Sequence, residues 1–226
     1  MMVAAEAPVT SRVAFIRRTY LHLAGSVLAF TAIMAGLMQL PMIDEIVRSM
    51  SSRGVWLVLM LAFMGVAYGA DRLARSEASV GLQYAGLGLY ILLEAVIFTP
   101  MIYFASRFGP ENVLLTSAGA TGALFAGLTA VVFITKADFS FLRTVLCLAS
   151  IAAVVGIVAS LIFGFSLGIW FSVAMIFLAS GYIAYDTSNI LHHYRTTQHV
   201  AASLALFASV MLLFWYVLRF FMARRD

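Results

Sequence analysis

The chain contains 226 residues, of which 63% are hydrophobic and 11% are charged, and its mean hydropathy is +1.01. Soluble domains contain about 45 to 50% apolar residues, so this composition excludes a soluble protein and predicts an integral membrane protein. The net charge of +4 comes from residues scattered between apolar segments, without the basic stripe of a nucleic-acid-binding protein, so we expect no nucleic-acid partner.

The N-terminal eighteen residues form a polar segment that ends in Arg17 and Arg18. The apolar run after this arginine pair is too long for an export signal and lacks a small-residue cleavage site. We therefore interpret residues 1–18 as a polar N-terminal tail and residues 19–226 as one membrane domain, since no linker, strand pattern or second domain follows.

Seven apolar segments follow, and each is long enough, or nearly so, for a helix that crosses a bilayer in about 20 residues. They run from about Tyr20 to Leu40, Val55 to Ala70, Ser79 to Tyr103, Asn112 to Ile134, Thr144 to Phe163, Trp170 to Tyr194 and Val200 to Phe221. The charged residues Asp71, Arg72 and Arg75 end the second and shortest segment. The sequence thus predicts an all-α membrane protein, a bundle of seven transmembrane helices.

The third segment carries an acid, Glu94, with Gln83 and Tyr90 on the same helical face. A glutamate at this depth must be protonated, paired with a polar or charged partner, or in contact with water. It is either a protonated residue bonded to a neighbouring helix or part of a polar cavity with Asp186. Pro100, six residues on, would free a backbone carbonyl close to Thr99.

Small residues recur at every fourth position of the fourth segment, at Ala118, Gly122 and Ala126. A face of this kind allows the backbones of two helices to approach closely. We therefore predict that these three residues form a helix-packing interface with no catalytic role.

The sixth segment contains the most informative polar residues. Tyr182, Asp186, Asn189 and His193 are spaced by four, three and four positions, so they share one face of a helix. An ionised aspartate at the bilayer centre costs about 2.5 to 3.5 kcal/mol, so such a residue normally faces protein or water and has a function. The alternative is that Asp186 merely ends the helix among the lipid headgroups; we favour the buried, functional interpretation.

The remaining polar residues do not indicate a metal site or an enzyme. His192 and His193 are adjacent, and His199 follows six residues later, which is not the spacing of zinc ligands on one helical face. The Tyr185-Asp186 pair looks like half of an intramembrane aspartyl protease, but that chemistry needs a second carboxylate in a Gly-x-Gly-Asp motif, which the sequence lacks. We expect no metal, no other cofactor and no enzymatic activity.

Two stretches together resemble the Bax inhibitor (transmembrane Bax inhibitor motif) family. These are Gly181-Tyr182-Ile183-Ala184-Tyr185-Asp186-Thr187 and the final helix ending in Val217-Leu218-Arg219-Phe220-Phe221. Within the first, residues 185–190 resemble the bacterial YccA-like branch. The resemblance implies six helices arranged around the last one. It also implies either a pH-dependent calcium leak or, in the YccA-like branch, binding and restraint of the membrane-anchored, ATP-dependent protease FtsH.

The chain departs from the calcium-leak pattern at Ser209. The resemblance places there a second aspartate that shares a proton with the residue matching Asp186, whereas a serine donates a hydrogen bond and does not titrate. YccA-like proteins are similar in having serine. We therefore expect a modulator of FtsH in the bacterial inner membrane. The alternative is a pH-sensitive leak of calcium, another cation or protons through a cavity lined by Asp186, Asn189, Glu94 and Ser209, with Tyr182 on the same face as Asp186.

An odd number of crossings places the two termini on opposite sides of the membrane. With the N-terminus inside, the cytoplasmic segments contain eight basic residues: Arg12, Arg17, Arg18, Arg72, Arg75, Lys136, Arg143 and Arg195. The other side contains six: Arg48, Arg53, Arg107, Arg219, Arg224 and Arg225. The positive-inside rule then predicts a cytoplasmic N-terminus.

Overall fold

A computed structural model describes residues 3–76 and 79–223, and every regular element in these ranges is helical. The helices are α1 (Val9–Leu37), α2 (Ile43–Met50), α3 (Arg53–Ala74), α4 (Val80–Phe108), α5 (Val113–Thr135), α6 (Leu142–Phe163), α7 (Gly168–His192) and α8 (His199–Ala223). All but α2 are long and apolar enough to cross a membrane, which confirms the seven predicted spans.

The first crossing helix begins earlier than predicted, at Val9 instead of Tyr20. With 29 residues, α1 is about 43 Å long at 1.5 Å per residue, which exceeds the roughly 30 Å hydrocarbon core. We infer that its first turns, which carry Arg12, stand outside the core. Only residues 3–8 precede the helix in the described chain, and we name them the N-terminal strap.

The short helix α2 was not predicted, because its charged residues were interpreted only as the end of the first span. Its apolar residues lie at spacings of four and three and are buried: Ile43, Val47 and Met50. It packs on α3 and α4, and the hydroxyl of Tyr103 on α4 donates a hydrogen bond of 2.8 Å to Asp44 Oδ1. At about 12 Å, an eight-residue helix is too short to cross the bilayer, and the apolar face of α2 packs on the bundle.

The last helix is the most buried: 67% of its most apolar stretch is buried, compared with 56% in α4 and 28% in α7. It packs on α1, α3, α4, α5 and α7, whereas the main contacts of α6 are with α7 and α3. These contacts confirm a central last helix but do not confirm the expected ring of six helices around it.

Helices α3 and α4 approach each other closely at Gly86. A Cβ atom at this position would lie 2.5 Å from the carbonyl oxygen of Ala70 and 2.6 Å from the backbone nitrogen of Ala74. Ala70 and Ala74 are themselves fully buried or nearly so. Any larger side chain at Gly86 would therefore force the two backbones apart.

The predicted packing face on α5 is not a contact within the bundle. Ala118, Gly122 and Ala126 are all exposed, and a Cβ atom at Gly122 would have no neighbour within 4 Å. The buried residues of α5 include Ser117 and Thr121 instead. Small residues permit close packing but do not attract a neighbouring helix, so their spacing alone did not identify the face that packs inside the chain.

One end of the bundle gathers several chain segments, and we name it the strap end. The backbone N–H of Ala4 donates a 2.9 Å hydrogen bond to the Tyr194 carbonyl, and Val3 forms an antiparallel bridge with Arg195. The α5–α6 connector also binds α7 at this end. The eight basic residues that the sequence assigned to the N-terminal side belong to segments at this end. Arg224 and Arg225, assigned to the other side, lie outside the described residues.

Candidate functional site

Asp186 is a buried carboxylate on α7 with a single direct donor from the next helix. Its exposed fraction is 8%, and Ser209 Oγ on α8 donates a 2.6 Å hydrogen bond to Asp186 Oδ2. Helix α7 continues for six residues beyond Asp186, about 9 Å at 1.5 Å per residue. The position of Asp186 therefore differs from that of a residue that ends a helix among headgroups: it lies between packed helices.

An ion pair at the end of α3 acts on this carboxyl group. Arg75 Nε lies 2.9 Å from Asp71 Oδ1 and 2.8 Å from Asp71 Oδ2. Arg75 attracts the negative charge of Asp186, and Asp71 repels it. The side chains of the pair are 46% and 34% exposed, so the ion pair reaches water while Asp186 is buried behind it. The sequence interpretation missed this role because it treated both residues as charges that flank the membrane.

Tyr194, on the connector after α7, completes the cluster. Burial raises the pKa of the Tyr194 phenol to about 12; Arg75 opposes this rise, and the charges of Asp186 and Asp71 add to it. The phenol is therefore neutral at physiological pH and offers a hydroxyl group to the cluster. Its backbone carbonyl accepts the hydrogen bond from the strap residue Ala4, so the strap and the buried acid meet at one residue.

Glu94 occupies a different environment on α4. It is 6% exposed, and its polar neighbour is Tyr90, one turn earlier on the same helix. The Tyr90 ring packs against Phe63 of α3 and Phe207 of α8, with both ring centroids at 6.2 Å. The charged groups that act on Asp186 are Arg75 and Asp71, and Glu94 is not among them. The described residues thus do not bring the two buried acids into one cluster.

The side-chain hydrogen bonds described for the other two predicted site residues do not include Asp186. The Tyr182 hydroxyl lies 2.9 Å from Ser150 Oγ on α6. Asn189 contributes its backbone carbonyl, which accepts hydrogen bonds from the backbone N–H groups of His193 and Tyr194 and closes the end of α7. Of the five candidates, Asp186 and Ser209 are the two joined by a hydrogen bond between their side chains.

A second polar contact fixes the α5–α6 connector to the end of α7. The fully buried Ser188 Oγ accepts a 2.9 Å hydrogen bond from the Phe139 N–H and donates one of 3.2 Å to the Ala137 carbonyl. Asp138 Oδ2 lies 3.7 Å from His193 Nε2. The hydrogen bond from the Ser140 N–H lowers the pKa of Asp138, and the neighbouring histidines add to this effect.

Within residues 3–76 and 79–223, no group of three or more His, Cys, Asp or Glu side chains is arranged to hold a metal ion. The histidines that the sequence singled out have separate partners. His192 Nδ1 donates to the Ser188 carbonyl at 3.0 Å, His193 faces Asp138, and the ring of His199 lies 5.0 Å from that of His22. The chemistry of the site is therefore that of one buried carboxylate and its polar neighbours.

The chain is similar in sequence to known membrane proteins over most of its length. Residues 12–226 match the family described as "Inhibitor of apoptosis-promoting Bax1". The "Modulator of FtsH protease YccA" of Escherichia coli is 27% identical over 200 residues, covering 88% of this chain and 85% of YccA. An uncharacterized protein of Pasteurella multocida is 28% identical over 198 residues, covering 86% of this chain and 83% of its own. An uncharacterized membrane protein of Vibrio cholerae is 29% identical over 164 residues, covering 71% of each chain. The chain belongs to the Bax inhibitor family.

Proposed function

We propose that this protein binds and modulates a membrane-anchored, ATP-dependent protease of the FtsH type in the bacterial inner membrane. The observation that carries the proposal is the extent of the similarity to YccA, which spans 88% of the chain and therefore most of the helix bundle. The hydrogen bond from Ser209 to Asp186 supports it, because the side chain bonded directly to Asp186 is a serine, as in the YccA-like pattern. The second acid nearby, Asp71, is paired with Arg75.

The surface proposed to meet the protease is the strap end. It combines the strap, the first turns of α1 and two connectors, so several segments distant in sequence form one polar surface. With a cytoplasmic N-terminus, this surface would face the compartment in which an ATP-dependent protease unfolds its substrates.

Affinity purification tests the proposal. The tagged chain is extracted in a mild detergent, and co-purifying proteins are quantified against an unrelated seven-helix protein expressed at the same level. Enrichment of FtsH with the chain supports the proposal. Recovery of FtsH at the level of the control, from an intact and monodisperse preparation, contradicts it.

A second candidate function is a leak of calcium, other cations or protons near Asp186. The supporting observation is the water-exposed Asp71–Arg75 ion pair next to the buried carboxylate, because an ionisable residue inside a membrane protein marks ion pathways in many transporters and channels. Neither of the two described cavities is lined by Asp186 or Glu94.

Flux measurements in liposomes distinguish the two functions. If Asp186 coordinates a cation, Asp186→Asn changes the flux, because it removes the charge and keeps nearly the same shape. Ser209→Asp adds a second carboxyl group that shares a proton with the first, and so creates a pH dependence that the parent lacks. Flux at the level of empty liposomes for the parent and both variants contradicts the leak and leaves the protease proposal intact.

A further inference from the structure

A cavity of about 240 Å³ opens at the strap end between the strap, α1, α5 and α7. Three of its lining residues are basic and come from three helices or their ends: Arg12, Lys136 and His192. The strap contributes Ala5, and the rest of the lining is apolar: Ile16, Phe133 and Leu191. None of these described lining residues is acidic, so the cavity has a positive rim and an apolar wall.

Backbone geometry holds two of the basic residues in place. Lys136 follows α5 with a positive φ of 51°, and its N–H donates a 2.8 Å hydrogen bond to the Val132 carbonyl. His192 Nδ1 donates to the Ser188 carbonyl, so Nε2 is an acceptor in the neutral ring and a donor to an anion only in the protonated ring. Two described acids are close to the lining in sequence, Glu6 after Ala5 and Asp138 after Lys136, and neither lines the cavity. Asp138 faces His193 and the Ser140 N–H.

Helix capping does not account for the three basic residues together. Lys136 and His192 lie at helix C-termini, where a cation is favourable, but Arg12 lies in the first turns of α1, where the helix dipole is already positive. Arg12 therefore adds its charge to a positive helix end, and together with Lys136 it favours an anion in the cavity. The volume is below the roughly 300 to 1,000 Å³ of pockets that enclose a whole drug-sized ligand, so it suits a single anionic group attached to a larger molecule outside.

We propose that this cavity binds the phosphate headgroup of an anionic phospholipid such as phosphatidylglycerol. Arg12 and Lys136 would contact the phosphate, His192 would join them when its ring is protonated, and the acyl chains would leave along Ile16 and Phe133 towards the membrane. Basic pockets between transmembrane helices at a bilayer surface bind anionic headgroups by the same combination of charge and apolar contact.

The proposal is tested by measuring how short-chain phosphatidylglycerol binds the full chain in a neutral detergent. Native mass spectrometry and thermal shift measure the binding. Short-chain phosphatidylcholine tests whether the negative charge matters, and inorganic phosphate tests whether a soluble anion suffices. The pocket variant is Arg12→Gln with Lys136→Gln. Its matched control is Arg17→Gln with Arg143→Gln, which removes the same charge from the same end at two exposed residues outside the lining.

We expect the parent and the control to prefer phosphatidylglycerol, and the pocket variant to bind it about tenfold more weakly or worse, since each basic residue near a phosphate contributes about 1 kcal/mol. Ala5→Trp fills the cavity without removing charge, and we expect it to weaken binding as well. Equal losses in the pocket and control variants, no preference over phosphatidylcholine, or equal stabilisation by inorganic phosphate would each overturn the proposal. If the pocket variant does not fold, unchanged binding by Ala5→Trp overturns it.

Discussion

The pair formed by Asp186 and Ser209 depends on a donor that cannot carry a charge. Removing the oxygens of a carboxylate from water is unfavourable when no donor replaces the water. Ser209 offsets part of this cost with one short hydrogen bond. The water-exposed Arg75 offsets another part through its positive charge. The side chain of Asp186 is thus supported from two helices, α8 and α3.

Ser209→Ala should lower the free energy of unfolding by about 1 to 3 kcal/mol, because it leaves a buried oxygen of Asp186 without its donor. Ser203→Ala on the same helix is the matched control, since the Ser203 hydroxyl is fully buried but donates only to the Val200 carbonyl of its own helix. Thermal unfolding in detergent measures both. An equal and small loss in the two variants would show that the bond to Asp186 adds no particular stability.

The lowered pKa of Asp138 predicts an acid-sensitive attachment of the α5–α6 connector. Because the folded-state pKa lies below the unfolded value of about 3.9, the ionised group stabilises the fold above that value, and the contribution is lost as the pH falls through the lowered pKa. Asp138→Asn keeps an oxygen acceptor for the Ser140 N–H but has no charge. The stability difference between parent and variant should be present at about pH 5 and shrink below about pH 4. A difference that persists unchanged to pH 3 contradicts this prediction.

At the residue level, the sequence predicted contacts between residues that belong to a recognisable motif. It did not predict contacts between residues that are far apart along the chain. The joint importance of Asp186 and Ser209 followed from the family resemblance. Asp71 and Arg75 precede Asp186 by more than 100 residues and end a helix, a position where charges usually meet headgroups. Their i,i+4 spacing indicates an ion pair but does not indicate which buried group it faces.

The helices themselves were predictable because each crossing segment needs about 20 apolar residues. A run of this length can be recognised in the sequence without knowing which face of the helix is buried. The packing faces were less predictable. Small residues in α5 repeat regularly but are exposed, whereas the tight contact between α3 and α4 rests on Gly86, Ala70 and Ala74, which lie in two different segments. Helix α2 escaped prediction since eight residues give little more than two turns of pattern.

Gly86→Ala should destabilise the bundle by about 1 to 3 kcal/mol or more, because the new methyl group would overlap the backbone of α3. Gly88→Ala is the matched control in the same helix, where an added Cβ meets no atom within 4 Å. We expect the control to be neutral or to gain up to about 1 kcal/mol from higher helix propensity. Equal effects of the two substitutions on thermal unfolding would contradict the close contact of α3 with α4.

For the whole molecule, seven crossing helices place the described chain ends at opposite ends of the bundle. The full sequence assigns eight basic residues to the strap end and six to the other end: Arg48, Arg53, Arg107 and Arg219 and, outside the described residues, Arg224 and Arg225. The positive-inside rule therefore continues to favour a cytoplasmic strap end.

A reporter fused after residue 226 should be active if it is of a type that works outside the cytoplasm, and inactive if it is of a type that works only in the cytoplasm. A fusion within the α5–α6 connector, at the strap end, should give the opposite result and serves as the internal control. A C-terminal reporter that is active in the cytoplasm would contradict either the number of crossings or the proposed orientation.

The strap also governs how a protease could engage the chain from its N-terminus. Deletion of residues 2–11 should lengthen the lifetime of the protein in cells by removing the segment that the protease grips. Ala4→Pro should shorten it, because proline lacks the N–H that bonds to the Tyr194 carbonyl and so releases the strap. Pulse-chase labelling measures the lifetimes of both variants, and thermal unfolding shows whether each variant is folded. Unchanged lifetimes of folded variants would contradict the prediction.

The hydrogen bond between Ala4 and Tyr194 has a mechanical consequence. Tyr194 holds the strap through its backbone, while its side chain belongs to the cluster around Asp186. Tension applied to the N-terminus by an ATP-driven motor would load this residue first, before it reached the core of the bundle. Pulling the strap away from the bundle would therefore displace a residue whose side chain neighbours Asp186 before it separated the helices.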